Sequence, residues 1–226
     1  DSSLSTEDGQ AYALQSGMLE ALLQGDDSIE EYAILLFDVR PRWLHSPGWR
    51  KNDAGNRKES VEELRKVYLE GATNFDAVLA DLDRNMKWIA GKGNKPVAFL
   101  LSDGQLTWGQ TRIAKMLNLH PSTNALRWLC YRFGENAVNQ PLFDNLTRTS
   151  HGQIVTVLSP AEIPAAARAH RNPAATILSV EVSGTKVADL TLAGKPELIF
   201  PGQELKIAGR LMGDGASQLT VKATAT

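Results

Sequence analysis

The sequence predicts an α/β protein, a doubly wound and mostly parallel sheet with flanking helices, followed by a small all-β module. Three observations carry this expectation. Apolar runs of strand length recur, as in "YAILLFDV" (32–39) and "PVAFLLSDG" (96–104), and strands buried on both faces read this way. Segments with apolar residues at helical spacing stand between such runs, and strand–helix alternation with short connections builds a parallel sheet. After "RNPAA" (171–175) the helical period ends and alternation takes over, as in "ILSVEVSG" and "QLTVKATAT". The expected division is therefore a domain over residues 1–171 and a β-strand module over 172–226.

The elements follow in order. Ala11, Leu14, Met18, Ala21 and Leu22 recur at helical spacing, and Gly25 closes the segment. Residues 32–39 form a buried strand, with "RWLH" (42–45) as its hairpin partner after Pro41. "SPGWRKNDAGNRKE" (46–59) reads as loop, and a short helix follows with Val61, Leu64, Val67 and Tyr68 on one face. "LEGATN" interrupts. The strongest helix comes next, its stripe formed by Phe75, Val78, Leu79, Leu82, Met86 and Ile89. Strand 96–104 leads to a helix around 109–117, strand 125–134, a helix around 138–148, strand 152–159 and a last helix over 160–171. Three or four antiparallel strands are expected in 176–226, a thin unit that needs strands from elsewhere.

Composition narrows the function. The chain has 226 residues, 24 basic and 26 acidic, with a net charge of −2. That balance offers no electrostatic footprint for nucleic acid or an anionic membrane. No apolar run reaches the roughly 18 residues that span a bilayer. The single cysteine, Cys130, lies in the apolar run "LRWLCYRFG" and reads as a buried structural thiol.

Doubly wound sheets bind ligands beyond the carboxyl ends of their strands, so the turns there hold the candidate site. "DSSLS" (1–5) sets hydroxyls at the second and fourth positions after a carboxylate. "EGATN" brings Thr73 just before the strongest helix, and "LLSDG" ends a buried strand with Asp103. Each turn alone also fits a helix cap or an ordinary turn. Taken together they offer oxygen donors on three loops at one sheet edge, a set suited to a hard divalent cation such as Mg²⁺. Hydrolase readings lack support: no G-x-S-x-G elbow, Walker spacing or histidine metal spacing occurs. His120, His151 and His170 are expected in solvated positions.

The D-x-S-x-S … Thr … (T/S)-D-G arrangement resembles the metal-ion-dependent adhesion site of von Willebrand factor A domains. Its positions here are Asp1, Ser3, Ser5, Thr73 and Asp103, with Ala72 where the family carries a second glycine and Ser102 where it more often has Thr. The resemblance covers roughly residues 1–171. It implies that Asp1, Ser3, Ser5 and Thr73 hold Mg²⁺ or Mn²⁺, with Asp103 acting through water. A protein ligand presenting a carboxylate would complete the coordination, without catalysis, and Trp108 is either a ligand contact or a cover for the sheet edge. A non-adhesive scaffold in a multiprotein assembly is the alternative role, and an Mg²⁺-dependent hydrolase a more distant one. "LIFPGQELKIAGRL" (198–211) resembles the segment after the A domain in inter-alpha-trypsin inhibitor heavy chains and their bacterial relatives. That resemblance implies an exported, cell-surface or membrane-tethered parent protein. In this fold the strand that ends at the first Asp is central, so the resemblance also implies that the first strand and an N-terminal part are missing. A free amino group at Asp1 would then put positive charge beside the metal, and the isolated chain would bind metal poorly.

Overall fold

The computed structural model describes residues 1–3, 11–25, 29–69, 71–91, 96–133, 139–150, 152–170, 175–184, 187–192, 198–199, 207–213 and 217–224. They form two compact units, Asp1–Arg168 and Ala169–Thr226.

The first unit is built on a parallel sheet of three strands, β5 (Val97–Ser102), β6 (Arg127–Phe133) and β7 (Gln153–Val157), with β6 in the middle. Leu100 pairs with Cys130, and Cys130 with Ile154. Side chains alternate across a strand, and β6 shows what that does for packing. Trp128 and Cys130 join one apolar cluster with α3 (Phe75–Ile89) and α5 (Gln140–Ser150), through Phe75, Val78, Leu79, Leu142 and Phe143. Leu129, Tyr131 and Phe133 join the other with α1 (Ala11–Gly25), through Leu14, Met18 and Leu22. Helices therefore cover both faces, as the run of apolar residues in each strand requires. Cys130 is buried in this core, and desolvation pushes its thiol pKa up, which leaves it inert.

The expected strand over 32–39 is divided. β1 (Glu31–Tyr32) pairs antiparallel with β4 (Arg50–Lys51), and β2 (Leu35–Leu36) pairs with β3 (Arg42–Trp43). One run serves two partners, and Ala33 and Ile34 connect them. The loop reading of 46–59 also needs correction. β4 lies inside it, and α2 (Ala54–Leu64) begins within it because Asp53 caps the helix, its side chain accepting from Asn56 N at 2.9 Å. Val67 and Tyr68 fall beyond α2, and Tyr68 is 81% exposed instead of lying on an apolar face. Helix α4 runs over Ile113–Leu119, later than expected, and a 3-10 turn at Pro121–Ala125 follows it. The last helix shrinks to a 3-10 turn and the four residues of α6 (Ile163–Ala166).

The second unit is entirely β among its described residues. β8 (Ala175–Gly184) lies between β10 (Leu198–Ile199) and β12 (Ser217–Thr224), and β9 (Val187–Leu192) pairs with β11 (Ile207–Leu211), all antiparallel. That makes five strands where three or four were expected.

Candidate metal centre

Residues 1–3 meet the carboxyl end of β5. The Asp1 amino group donates to Leu101 O at 3.0 Å, and Ser2 N donates to Phe37 O at 2.8 Å. This fixes the Asp1 carboxylate at the sheet edge. Its Oδ1 accepts from Ser3 N at 3.0 Å and from Ser3 Oγ at 2.7 Å, and its Oδ2 accepts from Ser102 Oγ at 2.5 Å. Thr73 Oγ1 donates to Ser3 Oγ at 2.9 Å. Four side chains from three separate turns thus form one hydrogen-bonded relay: Thr73, Ser3, Asp1, Ser102.

Each turn is held by backbone bonds. Thr107 N and Trp108 N both donate to Thr73 O at 3.1 Å, while Thr73 N donates to Thr107 Oγ1 at 2.8 Å. Asn74 caps α3 by accepting from Ala77 N, and its own N donates to Asp38 O. Asp103 follows Ser102 on the same turn, where its Oδ1 accepts from Gln105 N at 2.9 Å. Gly104 turns the chain with φ +77°, and a Cβ there would meet the Phe143 ring at 2.8 Å. A Gly104→Ala substitution therefore combines a left-handed backbone with overpacking, and is expected to cost about 2–4 kcal/mol by urea denaturation. A loss below 1 kcal/mol would show that the turn can relax.

The relay is largely buried: Ser3, Thr73 and Ser102 are buried, as is the neighbouring Asp103, while Asp1 is half-buried. Burial also lowers the pKa of the Asp1 amino group, against the negative charges of Asp103 and Asp38, from 8.0 to about 5. Burial therefore disfavours the positive charge expected beside the site. Ser5 lies outside the described residues.

The donor set fits a hard divalent ion. Asp1, Asp103, Ser3 and Thr73 offer only oxygens, and two carboxylates match a charge of +2. Among the described residues no group of three or more His, Cys, Asp or Glu side chains comes together as a metal site, so an ion here needs the hydroxyls as well as the carboxylates. The histidines lie elsewhere. His120 is not free in solvent as expected but half-buried, bridging Asp76 and Asp83 at 3.1 and 3.0 Å, and His170 is buried. His151 lies outside the described residues.

Two participants were missed in the sequence. Ser102 was read only as a substitute residue, yet it bonds directly to Asp1, and Thr107 carries Thr73. Ser102 had a signal, its place beside Asp103 at a strand end, while Thr107 had none at that level. Of the tryptophans, Trp43 and Trp49 stack edge-on against Trp88, with ring centroids at 5.1 and 5.6 Å, and Trp128 is buried. Trp108, 60% exposed next to Thr73, is the one at the site that meets solvent.

No family profile matches the sequence, and no curated protein matches it. Solved structures do. A von Willebrand factor type A protein from Catenulispora acidiphila superposes with a TM-score of 0.63 at 15% identity, over 100% of this chain and 57% of that one. Proximal thread matrix protein 1 from the mussel byssus, with a zinc-occupied MIDAS motif, gives 0.52 at 12% identity, over 74% of this chain and 44% of that one. The pilus adhesin SpaC from Lactobacillus rhamnosus GG gives 0.53 at 13% identity, over 100% and 36%. The chain therefore spans little more than half the length of the first of these proteins, and less of the others.

Proposed function

We propose that this chain, which has the fold of von Willebrand factor A domains, is a divalent-metal-dependent protein-binding domain. The observation that supports it best is the buried relay from Thr73 through Ser3 and Asp1 to Ser102. Asp1, Ser3 and Thr73 would hold Mg²⁺ or Mn²⁺, with Ser5 as a further hydroxyl and Asp103 as the second carboxylate through water. The bound ion supplies a Lewis-acidic position that a partner's carboxylate can occupy. The chain's own residues orient that position. Ser102 fixes one Asp1 oxygen, Thr107 fixes the Thr73 turn, and Gly104 lets Asp103 come close to the sheet edge. Trp108 stands exposed beside it as a contact for the partner.

The binding domain is assigned to residues 1–171 and the β module to 172–226. A zinc-occupied motif in the mussel protein and the adhesin SpaC are consistent with metal-dependent capture at a surface. The heavy-chain-like tail pattern points to an exported or membrane-tethered parent, although its residues 200–206 lie outside the described residues. Among the described residues no helix is long and apolar enough to cross a membrane.

Calorimetric titration of the chain with Mg²⁺ and Mn²⁺, beside its Thr73→Ala variant, tests the reading. Weak but saturable binding is expected, weakened about a further 10- to 100-fold by the substitution. A folded chain that binds neither ion would leave the relay as a structural network and favour a scaffold role in an assembly.

A further inference from the structure

Asn74 carries more contacts than a helix cap needs. Capping α3 takes one side-chain oxygen, and Asn74 Oδ1 supplies it by accepting from Ala77 N at 3.2 Å. A serine, threonine or aspartate would serve as well. The second bond is different: Asn74 Nδ2 donates to Val39 O at 3.2 Å. It needs a donor at the reach of an amide, which none of those three residues offers. Asn74 N also donates to Asp38 O at 2.8 Å, so the turn after β2 is tied to the start of α3 twice. Val39 meets the other end of the turn over 71–74, where a Cβ on Gly71 would lie 2.8 Å from Val39 Cγ2.

The same side chain faces a third turn. Gly109 follows Trp108 with φ +74°, and a Cβ there would strike Asn74 Oδ1 and lie 2.9 Å from Asn74 Cγ. Glycine is therefore required at 109 both by the left-handed backbone and by the amide. The two residues before it, Thr107 and Trp108, both donate their N–H to Thr73 O. Three turns thus meet at Thr73 and Asn74. One carries the Thr73 hydroxyl that donates to Ser3 Oγ, and another carries the exposed Trp108. Asn74 itself, with φ −112° and ψ 81°, precedes the first residue of α3, so these bonds and contacts set its position.

We propose that Asn74 is the positioning residue of the candidate metal centre: its amide fixes the turn that aims Thr73 Oγ1 at Ser3 and seats Trp108 beside it. In this role Asn74 touches neither the ion nor a partner and acts through Thr73 and Gly109. The role rests on the metal reading given above. The joint between the three turns does not, and the two are tested apart.

Calorimetric titration with Mn²⁺ compares the chain with its Asn74→Ser variant. Serine keeps an oxygen for the cap and loses the reach to Val39 O, so the Tm should move by less than about 4 °C, the worth of one hydrogen bond in a chain of this size. Affinity for Mn²⁺ is expected to fall about tenfold, the usual effect of removing a group that orients a ligand. Equal affinity in both chains overturns the proposal and leaves Asn74 as a cap alone. A chain that binds no Mn²⁺ with or without the substitution overturns the metal reading, and the role at a metal centre with it. The joint is read by a double-mutant cycle with chelator present. Gly109→Ala is expected to lower the Tm by about 6 °C or more in the unsubstituted chain. Beside Asn74→Ala, which makes room for the methyl group, it should cost no more than about half as much. Equal losses would show that Gly109 and Asn74 act independently, and would overturn the joint.

Discussion

Truncating Phe143 to alanine is expected to lower stability by about 3–5 kcal/mol, the usual cost of removing a buried aromatic ring. Phe143 is fully buried in α5, within the cluster that holds Trp128, Cys130 and Leu100. The ring also lies against Gly104, close enough that a Cβ there would strike it. Gly104 N donates to Ser102 Oγ at 2.9 Å, and that hydroxyl donates to Asp1. One side chain thus supports the core and the turn that carries Ser102 and Asp103. The urea midpoint should fall, and divalent affinity should fall with it at a denaturant concentration where the variant is still folded. A stability loss under 1.5 kcal/mol, or a stability loss with unchanged metal affinity, would separate the ring from the turn.

Asp103→Asn is expected to act in the opposite proportion, leaving the fold nearly untouched and removing most metal binding. The amide keeps the shape and keeps an oxygen to accept from Gln105 N, so stability should change by less than about 1 kcal/mol. The carboxylate's attraction for a divalent ion is lost, and near a protein surface that is worth on the order of 2–3 kcal/mol through an intervening water. Affinity for Mg²⁺ should therefore drop about 100-fold by calorimetric titration. Unaltered binding would remove Asp103 from the ligand set and leave Asp1 as the lone carboxylate.

These two substitutions also mark where residue pattern was informative. The apolar runs at 97–102 and 127–133 read as buried strands because no polar residue has to face water there, and the structure pairs them in parallel. The stripe of α3 was legible because apolar residues at helical spacing stand against a polar face, and Asn74 capped it where the chain pattern changed. The β1–β4 region was harder. Four two-residue strands have too few positions to show a period, and the first part of α2, over 54–59, has no large apolar residue, so it reads as loop although Asp53 and its partner Asn56 close the cap.

Composition and local order determined the α/β class, the change to strand alternation towards the C-terminus, and which turns carry oxygen donors, because strand burial, helix period and turn chemistry are properties of neighbouring residues. Tertiary structure decided what those donors do to one another. Ser3 and Thr73 are 70 residues apart, and Ser102 and Asp1 are 101 apart. The relay exists only because the parallel strands end at the same edge, where burial removes the water that would otherwise separate these side chains. The bridging of Asp76 and Asp83 by His120 has the same origin. It depends on the meeting of distant elements and is not written in a local stretch of sequence.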